Sequence, residues 1–503
     1  SEEVKRRWCS QPQASRPRMR RLLLCVWLCT CVGDTQPPQR PALKPAGGSR
    51  AVQRGRTPPK QSTLLASSGP PAEGSLAHIG RSAASRSDTT AVRPSFKWAM
   101  LANWLYFLAL GLVIPVLGRV ISTVVNPDGS PDVSPASSVI GGDVEALDKI
   151  CTFLGVGFLG ALSDVVGRKP LMAYSALGFA ATCYLQASAK DISMLFIADL
   201  VDGVSSCMSS VCSAYVADAS PPERRAVNLG IFQGVSVAGA FILGIPISAV
   251  LTEKYGLRSP MYAAAAVGVL NFALIMLLTP ESLPAEQRKG KKLDLRTANP
   301  LGALRVLFGR SPLMRGSAAA YFFVWLANTC INSQFGNYCN HLFGWGPQES
   351  APIIMLVGVM IAIAPAALVP RLGLRRSIVY GAVVYAVGLL CTAFAHTPLK
   401  LVLSTLLTSV GCICIPALVA FIANQAEPAE RGALLGALET LQELTDAFAH
   451  SSYGRIFGAS ITETARVKLP GAVFLAASTY MLGGLAVVQR TFGLFAAEAA
   501  KFF

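Results

Sequence analysis

From Trp98 onward, apolar runs of about twenty residues alternate with short polar stretches along the chain. The runs begin at Trp98, Val144, Leu171, Ile192, Leu229, Pro260, Gly316, Ala351, Ser377, Leu399, Ala433 and Pro470. A helix needs roughly 20 mostly apolar residues to cross the hydrocarbon layer of a bilayer. The pattern therefore predicts an all-α integral membrane body of about twelve spanning helices. Asp148 and Lys149 crowd the start of the second run, which makes it the least regular.

The connections alternate in charge. Arg168 and Lys169 join runs 2 and 3, Arg224 and Arg225 join 4 and 5, and Arg371, Arg375 and Arg376 join 8 and 9. The connection from Glu281 to Arg315 carries Arg288, Lys289, Lys291 and Lys292. The opposite connections are poor in Lys and Arg, and the first, Asn126 to Asp143, is acidic and rich in Gly, Pro and Ser. Positive-inside logic puts both ends of the body on the cytosol-equivalent side.

Composition agrees. Of the 503 residues 52% are hydrophobic and only 14% charged, against about 25% charged in soluble domains. Mean hydropathy is +0.47. Residues 1–97 hold 17 Lys and Arg against 5 Asp and Glu, so +12 of the chain's +16 lies there. No DNA-binding motif or aromatic-basic face accompanies that charge, so no nucleic-acid partner is expected. Most of the 13 cysteines fall inside apolar runs and read as small buried hydrophobes. Cys412 and Cys414 have no second pair at zinc spacing, so neither a metal nor a cofactor is expected. No nucleophile–base arrangement or phosphate loop suggests an enzyme.

Residues 34–97 are rich in Ser, Pro and Arg, poor in acids, and read as disordered. Before them, Met19–Val32 has a charged start and an apolar stretch too short to span, and it resembles a signal peptide. A signal followed by an Arg/Ser-rich, acid-poor stretch resembles a two-part organelle presequence, as in secondary plastids. A disordered cytosolic tail is the alternative. The expected organisation is residues 1–97, a basic N-terminal segment; 98–280, a six-helix half; 281–315, a cytosolic central loop; 316–490, a second six-helix half; and 491–503, a tail.

The two halves follow from an internal repeat. Ala214–Gly230, AYVADASPPERRAVNLG, aligns without a gap on Ala420–Gly436, AFIANQAEPAERGALLG, 206 residues later. The same shift carries Gly160–Gly167 onto Ala366–Gly373. Two loops agreeing on one offset imply two parallel halves, with a solute site near the midplane between them.

The segment Gly160-Ala-Leu-Ser-Asp164-Val-Val-Gly167-Arg168-Lys169 resembles the loop signature GxxxDxxGR[RK] of the major facilitator superfamily. Tyr215–Arg225 and Pro280-Glu-Ser-Leu-Pro284 are similar to tetracycline/proton antiporters and, more closely, to hippocampus-abundant-transcript-like transporters. So is Gly111–Leu117. The resemblance covers roughly residues 98–490. It implies alternating access and transport of a small solute, with Gly160, Asp164, Gly167, Arg168, Lys169, Asp218 and Arg225 as gating residues. Gly160 is expected to allow close helix approach and Gly167 a tight turn. Asp164 is expected to meet the N-terminus of helix 11 when the cytosolic side closes. Plain topogenic charge is the alternative. The chain departs from the family pattern at Tyr106, where the antiporters carry an Asp, and at Asp199, where helix 4 carries an Arg. The helix 5 signature is degraded, and Ala449-His450 replaces a Gly-Pro pair in helix 11.

Run 11 carries Glu439, Glu443, Asp446 and His450 at spacings of 4, 3 and 4, which places them on one stripe. Ionisable groups in a membrane helix usually face a cavity or one another. Close carboxylates are expected to share protons as a coupled set. Asp199 and Asp202 lie one turn apart in run 4 and are further candidates for proton coupling. Run 7 repeats the 4, 3, 4 spacing with Tyr321, Trp325, Asn328 and Asn332, a candidate solute wall together with Tyr106. A structural polar network is the alternative for each stripe.

The function expected is secondary active transport of a small organic solute, with protons and membrane lipid as partners, by a monomer in an unspecified membrane, with an organelle or plastid envelope admitted by the N-terminal segment. A uniporter and a non-transporting sensor or scaffold of the same fold stand as alternatives.

Overall fold

The structure, a computed structural model, describes residues 94–503 apart from 222–223, 289–292, 294–298, 428–429 and 466–467. The expected presequence therefore lies outside the described residues. Every described element is a helix. They are α1 Phe96–Val113, α2 Leu117–Val125, α3 Pro135–Val166, α4 Arg168–Ser188, α5 Ile192–Ser205, α6 Met208–Asp218, α7 Arg225–Ala238, a π-helical turn Gly239–Gly244, α8 Ile245–Tyr255 and α9 Ser259–Leu278. After them come α10 Ala285–Arg288, α11 Pro300–Gly309, α12 Pro312–Phe343, α13 Pro347–Leu372, α14 Leu374–Ala393, α15 Pro398–Gly411, α16 Cys414–Asn424, α17 Arg431–Ile461, α18 Ala472–Leu494 and α19 Ala496–Ala499.

Among the described residues, eight helices or helix pairs are long and apolar enough to cross a membrane: α1, α3, α5–α6, α9, α13, α14, α15–α16 and α18. The helices α12 and α17 are as long, at 32 and 31 residues, but too polar to join them. Those two helices carry the stripes noted above.

Local chemistry sets the helix ends. Ser134 accepts from the Ser137 N–H and starts α3 with Pro135 in its first turn. Asp191, Ser311 and Thr397 cap α5, α12 and α15 in the same way. Gly167 and Gly373 have φ of 120° and 77°, which only glycine adopts readily, and each donates its N–H to the carbonyl four residues back. These two glycines are 206 residues apart.

The same offset recurs in the element bounds. Adding 206 to Ile192–Ser205 gives Pro398–Gly411, and adding it to Met208–Asp218 gives Cys414–Asn424. The start of α7 at Arg225 maps onto that of α17 at Arg431, and the end of α3 at Val166 onto that of α13 at Leu372. The sequence repeat is thus matched by repeated helix breaks. Buried apolar residues also segregate along the chain. One cluster draws only on residues 307–499 and three others only on residues 99–275. Ile245 and Ala249 join the two groups by packing on Ala351.

Two expectations differ in detail. The connection read as Asn126–Asp143 is helical from Pro135, because the Ser134 cap starts α3 nine residues before Val144. The central connection 281–315 contains α10 and α11, and α12 already begins at Pro312.

Candidate functional site

The early start of α3 moves Glu145, Asp148 and Lys149 from a helix end to mid-helix. Opposite them runs α17, antiparallel. Lys149 Nζ lies 2.9 Å from Asp148 Oδ2 and 3.9 Å from Glu443 Oε2. One turn nearer the acidic connection, His450 Nδ1 lies 4.0 Å from Glu145 Oε2. Asp199, buried on α5, accepts a 2.7 Å hydrogen bond from Gln186. Asp202 lies within electrostatic reach of Asp148, Lys149 and Glu145. Glu443 of run 11 and Asp202 of run 4 therefore come within reach of one lysine on α3.

The stripes on α12 and α17 meet. Trp325 Nε1 donates to Asp446 Oδ1 at 3.0 Å, and the Thr329 hydroxyl donates to the same oxygen. Gln442 donates to the Tyr321 hydroxyl, and the Tyr321 ring stacks on Trp325 with centroids 6.0 Å apart. Tyr321 is fully buried, so it belongs to the packing between these helices. Glu439 is exposed.

A cavity of about 380 Å³ is lined by Asn328, Asn332, Tyr385, Glu145 and His450, among others. It extends toward Val133 and Trp345 on the acidic face. Tyr385 donates to Asn328 Oδ1 at 3.0 Å. Neither Tyr321 nor Trp325 lines this cavity, and neither does Tyr106, which packs on Phe179 at 4.8 Å.

Glycines record how α3 and α17 approach. A methyl group at Gly142 would run into the His450 carbonyl oxygen and the Gly454 Cα, and one at Gly454 would lie 2.5 Å from the Ser138 carbonyl oxygen. Backbone meets backbone there. Eighteen residues are five helical turns, so Gly160 lies on the same face of α3 as Gly142, and Gly436 on the same face of α17 as Gly454. A methyl group at either Gly160 or Gly436 would meet nothing within 4 Å. The helices touch backbone to backbone at the acidic face and leave room at Gly160 and Gly436 toward the basic one. Gly160 thus does not provide the close approach expected of it, since a side chain there would meet no neighbour. At the converged end Asp143 pairs with Arg455 at 2.6 and 3.1 Å and accepts from Ser451 at 2.7 Å.

On the basic face, Arg168 organises the signature loop. Its guanidinium lies 2.6 Å from Asp164 and 3.0 Å from Asp218. Glu281 accepts the backbone N–H of Arg168 at 2.9 Å and of Lys169 at 3.1 Å, so it caps α4. A side chain at Gly167 would collide with Glu281. Arg225 donates to the Ala217 carbonyl at 3.1 Å. Asp164 is half-exposed and pairs across the Gly167 break with Arg168, the first residue of α4.

Glu145, Asp148 and Lys149 were not among the candidate site residues read from the sequence, where Asp148 and Lys149 marked only an irregular run start. Their i, i+3, i+4 spacing is the same kind of stripe signal that marks α17.

The Major Facilitator Superfamily profile matches residues 99–450. Tetracycline resistance protein, class C, of Escherichia coli is 28% identical over 342 residues, covering 67% of this chain and 83% of that protein. Human hippocampus abundant transcript-like protein 1 is 25% identical over 373 residues, covering 73% and 71%. The crystal structure of the human organic anion transporter MFSD10 shares the fold, with a TM-score of 0.59 at 20% identity over 79% of this chain and 99% of that one. With the family profile spanning most of the chain and multiple apolar helices in the same fold, this chain is a multi-pass membrane protein that belongs to the Major Facilitator Superfamily.

Proposed function

We propose that the chain is a secondary active transporter of a small organic solute, working by alternating access and linked to protons. The carrying observation is the splayed contact of α3 and α17. They are closed at Gly142–Gly454, open at Gly160–Gly436, and joined between by Lys149 and Glu443. A carrier needs two such ends and a charged element that responds to which end is open.

In this reading residues 98–280 and 316–490 are parallel six-helix halves, giving twelve spans, and the 206-residue recurrence of helix breaks supports it. Residues 281–315 and 491–503 lie on the cytosol-equivalent side, by the distribution of Lys and Arg. Asp164, Arg168, Asp218, Arg225, Lys169 and the Gly160–Gly167 segment act on closure of that side. The cavity lining, largely uncharged polar and apolar groups with Glu145, His450 and Arg119, supports an organic solute. Tetracycline resistance and organic anion transport are what the names of two similar proteins state, and they support small-solute transport as the class.

The test is a thermal-shift screen of the purified chain against a solute library, followed by uptake of each hit into proteoliposomes with an imposed pH gradient. Accumulation that collapses with the gradient is expected. Flux that only equilibrates the solute, without pH dependence, would replace coupled transport by uniport. No flux of any stabilising solute would replace transport by sensing.

A further inference from the structure

Lys149 stands between two carboxylates of different attachment. Asp148 is its neighbour on α3, buried and 2.9 Å away, and Glu443 is on α17, 3.9 Å away. Whether or not Glu443 is ionised, Asp148 and Lys149 remain a neutral pair within one helix. The Glu443 carboxylate decides whether the Lys149 charge carries an attraction from α3 to α17, and the Glu145–His450 contact one turn away adds one only when His450 is protonated. Its Oε2 is enclosed and accepts no hydrogen bond among the described residues, so Lys149 is what holds it.

Resting on the transport reading above, we propose that Lys149 competes with a proton for Glu443, and that this competition sets how far α3 and α17 part at the basic face. With Glu443 ionised, Lys149 draws the helices together. When Glu443 takes a proton from water in the basic-face opening, the proton stays on its carboxyl, Lys149 keeps its charge against Asp148, and the cross-helix attraction is lost. Two acids and one lysine leave a single spare negative charge, which a low-dielectric interior disfavours unless a proton neutralises it.

The surroundings fit one exchangeable proton. On α3 the pair is faced by Glu145, on α5 by Asp202 with Asp199 beyond it, and on α1 by the Tyr106 hydroxyl. On α17, Glu439, Asp446 and His450 flank Glu443. Asp446 is occupied by Trp325 and Thr329, Asp199 by Gln186, and His450 faces Glu145. Glu443 is the acid of this group whose partner on the other helix of the α3–α17 pair is a lysine, charged throughout, where Glu145 has only a histidine.

Gly160 and Gly436 face open space and can carry reporters. Spin labels on Gly160→Cys and Gly436→Cys, in the full chain with its native cysteines replaced, read the opening as a distance distribution. Between about pH 8 and about pH 5 the unmodified network is expected to shift from shorter to longer distances. Lys149→Gln is expected to lose that shift and hold the longer distance, and Lys149→Arg to restore it. Glu443→Gln is expected to hold the longer distance at every pH, and it decides the matter if Lys149→Gln does not fold. A pH shift that persists in Lys149→Gln or in Glu443→Gln overturns the proposal and leaves the transport reading standing. A distance that ignores pH in the unmodified network removes proton linkage through this site and the proposal with it.

Discussion

The indole N–H of Trp325 donates to Asp446 at 3.0 Å, and this contact separates two acids that lie three residues apart on α17. Asp446 is held by α12 through Trp325 and Thr329, whereas Glu443 faces Lys149 on α3. One acid fastens neighbouring helices. The other faces the helix that splays away.

The two acids should therefore respond differently to mutation. Asp446→Ala strips the acceptor from a buried hydroxyl and a half-buried indole and is expected to cost about 1.5–3 kcal/mol of stability. Asp446→Asn keeps an acceptor and should cost less. Glu443→Gln should leave the melting temperature nearly unchanged and abolish pH-driven accumulation in proteoliposomes. Equal loss of accumulation in Asp446→Asn and Glu443→Gln would show that both acids act in coupling.

Matched glycine substitutions test the splay. Gly142→Ala inserts a methyl group against the α17 backbone and should weaken the acidic-face closure by about 1–3 kcal/mol. Gly160→Ala enters open space and should be neutral or slightly stabilising. Labelling of a cysteine placed at Asn332, with a reagent added from the acidic side, should rise in the first and not in the second. A rise in both, or in neither, would contradict the convergence of α3 and α17 at Gly142.

The Asp143–Arg455 pair makes a smaller contribution to the same closure. Arg455 is more than half exposed, so the pair is worth at most about 1 kcal/mol, a population change of about fivefold. Arg455→Gln should raise labelling at Asn332 by no more than that, and added salt should mimic it in the unmodified protein. A salt-insensitive effect would mean that packing, not charge, is what the substitution disturbs.

At the basic face, Glu281 and Asp164 should separate stability from gating. Glu281→Gln weakens the cap of two α4 N–H groups and should lower stability by about 1 kcal/mol. Asp164→Asn removes only a half-exposed pair across the Gly167 turn, so its melting temperature should hardly move. If Asp164 closes this face in the other state, Asp164→Asn should still lengthen the Gly160–Gly436 label distance. An unchanged distribution together with unchanged transport would remove Asp164 from gating.

Most of the helical framework was legible in the sequence, because apolar runs and the 206-residue repeat are local patterns. The six pairs of helix bounds given above follow that repeat, down to the breaks at Ser206 and Cys412. Hydropathy hid the site for the same reason that it found the spans. It treats a charge as a boundary, so Asp148 and Lys149 read as the edge of a run when Ser134 had already started the helix. The stripe on α17 was visible, but its division between Asp446 and Glu443 depends on which helix lies opposite, and that is tertiary information. Tyr106 was placed by family position, and its ring turned out to pack on Phe179.

The splay also has a mechanical consequence. From the pivot near Gly142 and Gly454, Lys149 lies seven residues along α3 and Gly160 eighteen, or about 10 Å and about 27 Å of helix. The helices act as scissor blades with the ionic pair close to the rivet. A separation of about 1 Å at Lys149, enough to weaken an ionic contact, becomes about 2.5 Å at Gly160 if both helices stay rigid. The leverage lets a single proton's worth of displacement, too small to disturb the packed end, widen the far end by nearly the diameter of a water molecule.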